Sequence, residues 1–439
     1  MKQLINFEFE LFKKINNQDA FPLAERWLAA IRKLPRITAA EISGELRRGK
    51  SAVNQIEIAT ASTQPAGALA DITYLGGSRQ VFSERDDQVV FHFDNGVNLI
   101  VWVSEPARFG NLLQHTTGSQ AHNEWLARIA GRRGLNYQSG VIQQGDQPLN
   151  FANETELYKF LKLPCIPPEL REGVLESEWL SAKSGQHLIT QKDILADLHV
   201  HSIWSDGKNS LEEMAEAAVE NGLSLIAITD HSPYLLRKRY ADHSYLLRQQ
   251  EEISCLRQRY SGRLEILKGV EVDIFPDGSL DLAEEVLDHI DIIIASVHTD
   301  LDQPQEIITA RYIRAIEHPF VHIIGHPGGR LFPMTDISDL DWDSIFQAAA
   351  RHQVALEINS HKSHPLFDDQ KVRRAASSGI PIALNSDSHH AGMFADSRYG
   401  LLIARRAGLK KDQIINTWPL ERIKSWLREK VPSARGSKI

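Results

Sequence analysis

Cysteine is scarce in this 439-residue chain: Cys165 and Cys255 stand alone, neither in a CxxC arrangement. Two such residues cannot build a disulfide framework or a thiolate metal site. Long apolar runs are missing too, with no stretch near the ~20 residues that cross a bilayer. The opening MKQLINFEFE carries acids where a secretory leader would be apolar. A cytoplasmic protein without a membrane partner is the expectation. An excess of positive charge is also lacking, since 49 lysines and arginines face 57 acids for a net charge of −8. That balance argues against a protein that coats nucleic acid through charge alone. At 42% hydrophobic and 24% charged residues the composition is ordinary globular material, and the length favours two or three domains.

What is present is distributed unevenly. Residues 1–165 hold 18 basic and 17 acidic side chains, whereas residues 166–439 hold 31 and 40. An acidic, histidine-rich second part is what a site for several divalent cations would produce. From Ile194 onward short β-branched runs alternate with helical stretches, the rhythm of repeated βα units. Seven strands are expected: Ile194–His199, Leu223–Thr229, Leu264–Val272, Ile290–Val297, Val321–Gly325, Val354–Asn359 and Ile380–Ser386. Ser210 with Glu213 reads as a capping box opening the first helix. A strand as apolar as IDIIIASV is expected to be parallel and covered on both faces. The predicted fold class is therefore α/β, with a barrel of βα units over residues 194–432 and a tail over 433–439. The first 165 residues read as a smaller α+β domain, with a helix near Pro22–Leu34, strands in VNQIEIAT, VVFHFD and VNLIVWV, and a helix near Ala121–Arg132. Pro164, Pro167 and Pro168 mark what reads as an extended linker over 166–193.

The chemistry-bearing residues gather at the ends of the expected barrel strands. His199 and His201 close the first, two residues apart and so on one side of it, with Asp206 in the following turn. His231 closes the second, Glu271 the third, His298 the fourth and His326 the fifth, while Asp387 and His389 close the seventh. In a parallel barrel that end is where active sites are built. Nine nitrogen and oxygen donors suffice for two or three divalent ions, and imidazole with carboxylate suits zinc, manganese or iron. Clustered cations can activate a water molecule for hydrolysis of a phosphate ester, so no serine or cysteine nucleophile is needed. Arg330, four residues after His326, is a candidate second contact to the phosphate, because guanidinium pairs bidentately with phosphate oxygens. Arg398 is a further candidate for such a phosphate contact, with a structural salt bridge as the alternative for both arginines, and His364 and His390 fall near the expected mouth. Asn359 ends the sixth strand, where a turn residue is the plainer reading. His318, His322, His352 and His361 read as surface or core histidines.

HVHSIWSDG, AITDHSP, KGVEVDI, ASVH, IIGHPGGRL and LNSDSHH resemble the successive motifs of the PHP (polymerase and histidinol phosphatase) family of metal-dependent phosphoesterases, over Ile194 to about Gly400. The resemblance implies a distorted seven-stranded βα barrel with a trinuclear centre. It further implies one ion on His199, His201, Glu271 and Asp387, and a second on Asp206, His231 and His389. Glu271 would bridge to a third ion on His298 and His326.

The front segment resembles the palm and thumb of bacterial family X DNA polymerases, through GELRRG, TTGSQAHN, RRGLNYQSG and IPPELREG. That family carries three palm aspartates, because two magnesium ions need carboxylates to bridge the nucleotide phosphates. Here the matching positions read Gln55, Glu57 and Ile100, and the serine of the nucleotide loop is Glu45. The resemblance starts inside the fingers region, so the family's DNA-gripping segments are expected to be missing. Lost polymerase activity is the expectation, with Arg47, Arg48, Arg132 and Arg133 left as candidate contacts to nucleic-acid ends. Three readings follow. The leading one is a phosphoesterase acting on DNA 3′ ends, as a 3′–5′ exonuclease or 3′-phosphatase. The others are a small-molecule phosphatase, with histidinol phosphate as one substrate, and a non-catalytic DNA-repair accessory protein.

Overall fold

The computed structural model of the chain describes residues 14–76, 80–85, 87–93, 96–181, 187–236, 244–328, 340–362 and 367–430. It divides between His187 and Leu188 into two compact units. The front unit is α+β. Its five-stranded sheet runs in the order Ile37–Ser43, Gln55–Ser62, Asn98–Ser104, Gln88–His92, Gln80–Arg85. Gln55–Ser62 and Asn98–Ser104 pair in parallel, the other neighbours antiparallel. The helix expected near Pro22 starts earlier, at Asn17, because the Asn16 side chain caps it by accepting from the Gln18 amide.

Residues 166–181 are not an extended linker. Pro168–Leu170 form a 3-10 turn and Glu176–Ser181 a short helix, and Ile166, Leu170, Arg171 and Glu176 are buried within the front unit. The prolines set the turn, but the apolar side chains around them have a core to dock on. Arg171 is held there by Glu154, whose other partner is Arg47.

The second unit is a seven-stranded, all-parallel sheet whose strands follow in chain order: Ala196–Val200, Leu225–Ile228, Glu265–Asp273, Ile292–Ser296, Ile323–Ile324, Ala355–Asn359 and Ile382–Asn385. The parallel bridge Val200↔Ser388 brings the last edge to the first, nearly closing a barrel. Helices lie between successive strands, among them Leu211–Glu220, opened by the Ser210/Glu213 capping box, and Gln305–Glu317. Strand positions alternate between two cores. Ile226, Ile266, Ile293, Ile324, Leu356 and Ile382 pack outward against the helices. Ala196, Leu198, Ala227, Leu267, Ile294, Ala355 and Ala383 pack with Trp418, Trp426 and Leu427 of the C-terminal segment. The four alanines of this inner row, alternating with leucine and isoleucine, fit the narrow interior of a barrel with few strands. Continued by twos along the chain, the same row leads from Ala227 to His231, from Leu267 to Glu271, from Ile294 to His298 and from Ala383 to Asp387. One face is thus apolar at the strand starts and polar at their ends.

Two local irregularities complete that polar ring. The register of the first strand against the second shifts between Asp197 and Val200. This inserts one residue and turns the alternation over, the usual effect of a bulge, so that His199 and His201 join the inner row. His326, after the fifth strand, adopts φ 25°, and Asp387, after the seventh, adopts φ 53°. Both are conformations that side chains with a Cβ rarely take and that concentrate at functional sites. Gly325 permits the close approach, since a Cβ there would lie 2.3 Å from Ser296 Oγ.

Candidate metal centre

All nine donors anticipated from the sequence come together at the carboxyl ends of the strands. Glu271 is the hub. Its Oε2 lies 3.4 Å from His199 Nε2, 3.5 Å from His201 Nε2 and 2.9 Å from His231 Nδ1. Its Oε1 lies 3.4 Å from His298 Nε2 and 3.0 Å from His326 Nε2. Asp387 Oδ1 is 3.5 Å from His199 Nε2 and 3.0 Å from His201 Nε2. Asp206 Oδ2 is 3.4 Å from His231 Nε2 and 3.3 Å from His389 Nε2. By distance the donors fall into three overlapping sets: His201, Asp206, His231 and His389; His199, His201 and Asp387; His231, Glu271 and His298. His201 and His231 each belong to two sets, whereas the family resemblance assigns His201 to the first ion alone. His326 joins through its contact with Glu271.

The donor set fits divalent cations. The Nε2 atoms of His199 and His201 are buried and make no hydrogen bond of proper geometry, although carboxylate oxygens face both. Such an arrangement leaves buried lone pairs opposed unless a positive charge lies between them. Glu271, Glu357 and Asp273 are almost fully buried, and no lysine or arginine among the described residues pairs with them. The local field is correspondingly negative. Burial pushes His199 down, but Asp387, Glu357 and Glu271 outweigh it and hold the imidazole well above its usual range. His298 is lifted against burial by Glu271 and Asp273, to about 9. For Glu271 burial raises the carboxyl, and His199, His231 and His298 more than offset this, leaving it well below the usual value. His201, between His231 and His389, is lowered by burial and by those neighbours.

The ring is open on one side. The side chain of Asp206 is 50% exposed, against at most 2% for His199, His201, Glu271, His326 and Asp387. His231, His298 and His389 are partly exposed. A ligand therefore meets Asp206 and these three imidazoles first.

Several residues that sequence reasoning passed over support the ring. Glu357 accepts from His199 Nδ1 at 2.8 Å and from the His326 amide at 2.7 Å. Asp273 pairs with His298 Nδ1 at 3.1 Å. Asp197 accepts from the backbone of His199 and Ser386, and Asp230 from Ser202. Asn359 is more than a turn residue: it accepts from the His361 amide and donates to Asp387 Oδ2 at 3.1 Å. His361 is not remote from the site either, its ring lying 5.4 Å from that of His389. His322 is structural, accepting from the Ile293 amide. His390 is exposed beside His389, and Arg398 stacks on Tyr399. Arg330 and His364 lie outside the described residues.

In the front unit the palm positions are adjacent but chemically altered. Glu57 pairs in register with Ile100 on the parallel neighbour strand. Its carboxylate accepts from Gln55 Nε2 and from Trp102 Nε1, both at 3.1 Å. Glu45 is tied to Lys50 and to the Asn54 amide. Of the arginines considered for nucleic-acid contact, Arg47 pairs with Glu154, Arg48 is buried against Glu172 and the Thr117 carbonyl, and Arg133 donates to the Phe160 carbonyl. Arg132 is exposed. Among the described residues no helix is long and apolar enough to cross a membrane.

Comparison with known proteins agrees with both parts. The PHP domain profile matches residues 197–361, and the DNA polymerase beta thumb profile matches residues 112–172. The chain is 33% identical over 393 residues to the DNA polymerase/3′-5′ exonuclease PolX of Bacillus subtilis (strain 168), covering 88% of this chain and 68% of that protein. It is 33% identical over 248 residues to a probable phosphatase of Thermoanaerobacter sp. (strain X514), covering 54% of this chain and 96% of that one. It is also 31% identical over 233 residues to the probable phosphatase YcdX of Escherichia coli O81 (strain ED1a), covering 51% of this chain and 90% of that one.

Proposed function

Since the chain belongs to the PolX family of PHP-domain proteins and its barrel is a metal-dependent phosphoesterase, we propose that it hydrolyses phosphate esters at the ring of His199, His201, Asp206, His231, Glu271, His298, His326, Asp387 and His389. The observation that carries this reading is the convergence of these nine residues, with Glu271 as the hub that meets five imidazoles. Two or three divalent ions of the zinc, manganese or iron class would be held there, and they supply activation of water and neutralisation of phosphoryl charge. The chain's own part is to fix the donors on rigid strand ends and to leave Asp206, His231, His298 and His389 facing the substrate. Arg330 is retained as a second phosphate contact.

The substrate proposed is a nucleic-acid 3′ end, cleaved as a 3′–5′ exonuclease or a 3′-phosphatase. Similarity to PolX along 88% of this chain, front unit included, supports it. The small-molecule reading draws on a different fact: the probable phosphatases match only 54% and 51% of this chain while being covered over 96% and 90% of their own length. Turnover of a 3′-phosphorylated or 3′-labelled oligonucleotide, compared with histidinol phosphate in the presence of manganese or zinc, separates the two. Faster hydrolysis of histidinol phosphate by the full chain would reverse the assignment. The family's phosphoesterase character leaves no reason to keep an inert repair accessory as the reading.

Polymerisation is proposed to be lost. Two of three palm carboxylates are replaced, and the one that remains, Glu57, is occupied by Gln55 and Trp102. No incorporation of a labelled deoxynucleotide into a primed template is expected with magnesium or manganese, and measurable extension would contradict the proposal.

A further inference from the structure

Six of the seven barrel strands end in residues of the proposed ring, and the sixth, Ala355–Asn359, ends in none. Yet its two inner polar residues touch donors from three other strands. Glu357 is fully buried, and each of its oxygens accepts twice. Oε1 takes His199 Nδ1 and Asn385 Nδ2, each at 2.8 Å. Oε2 takes the His326 amide at 2.7 Å and Asn359 Nδ2 at 2.9 Å. Asn359 Nδ2 also donates to Asp387 Oδ2 at 3.1 Å. His326 and Asp387 are the two ring residues with φ between +20° and +60°, a conformation that persists only where surroundings hold it.

We infer that Glu357, together with Asn359, is the positioning device of the centre: it sets the tautomer of His199 and holds His326 and Asp387 in their left-handed backbone conformations. A carboxylate can only accept, so the proton of His199 is drawn to Nδ1, and Nε2 is left as the donor atom facing Glu271 and Asp387. This rests on the proposed metal reading of the ring. Glutamine cannot replace Glu357. Its amide would present a second donor to two N–H groups on whichever side it turned, so its loss should resemble that of alanine.

The experiment is zinc titration of the full-length chain, by calorimetry or chelator competition, for the unchanged protein, Glu357→Gln, Asn359→Ala and a control, Trp426→Ala. Trp426 packs in the inner core and donates to the Gln353 carbonyl just before the start of the sixth strand, at the end away from the ring. Thermal melts run alongside, so that affinity is compared only among folded proteins. Positioning predicts a 10- to 100-fold weaker zinc affinity for Glu357→Gln, the range for partners behind a metal-bound histidine. A smaller loss is expected for Asn359→Ala, and affinity within about twofold for Trp426→Ala despite its lower melting temperature. Imidazole nitrogen spectra of the zinc-loaded unchanged protein should show His199 engaged through Nε2 with its proton on Nδ1, a signature that weakens in Glu357→Gln at the same zinc concentration. Equal affinity in Glu357→Gln, or an equal drop in the Trp426→Ala control, overturns the inference while leaving the centre in place. Failure of the unchanged protein to take up zinc overturns both.

Discussion

Replacing Glu271 with alanine should abolish phosphoester hydrolysis and strip more than one ion from the protein. The two oxygens of this side chain meet five imidazoles, those of His199, His201, His231, His298 and His326, at 2.9–3.5 Å. No other carboxylate in the ring reaches as many. Partners that only stand behind a metal ligand are worth 10- to 100-fold in affinity or activity, so removing a shared ligand should cost more than about 100-fold. The measurement is elemental analysis of protein purified without chelator, paired with turnover of p-nitrophenyl phosphate. If activity stays within tenfold of the unchanged protein and the ion count does not fall, the ring is not the reacting centre. His199→Ala and Asp387→Ala test the same placement from the first and the last strand, which meet at the seam.

The second large effect belongs to the front unit. Glu154 accepts from Arg171 and Arg47 at once, and the Arg171 side chain is 1% exposed. Burial raises the Glu154 carboxyl, but Arg171 and Arg47 outweigh it and bring it below the usual range. Glu154→Ala would leave the Arg171 guanidinium buried with the Ile166 carbonyl, the Cys165 sulfur and the face of the Tyr158 ring as partners, none of them a counter-charge. Removing one member of a buried pair costs about 3–5 kcal/mol, a large share of the 5–15 kcal/mol that a domain has in total. Urea unfolding should show the transition that exposes Trp125 moved to lower denaturant by that amount, while zinc affinity at the ring is retained. A change below about 1 kcal/mol would mean that water reaches Arg171.

Most of this architecture was legible in the sequence for a definable reason. The barrel strands are β-branched runs closed by histidine or acid, so periodicity and position together mark the strands and the nine side chains that converge at their ends. What escaped notice needed the third dimension. Glu357 sits in VALEINS, where a lone acid within an apolar strand gives no sign of its partners. Its spacing of two from Asn359 was the one available clue. The shift of register in the first strand leaves no mark in HVHSIW, and without it His199 would face the helices. Over residues 166–181 proline dominates local propensity and suggests a linker, whereas the burial of Arg171 depends on Glu154, seventeen positions upstream at the start of a helix.

The bridge that joins Val200 to Ser388 carries a consequence for assembly. The ring draws on the first strand and on the last, about 190 residues later in the chain, so no partly synthesised or partly folded intermediate can own a complete set of donors. Cations would thus grip only the finished barrel and act as a clasp across its seam, adding stability in proportion to the logarithm of their concentration.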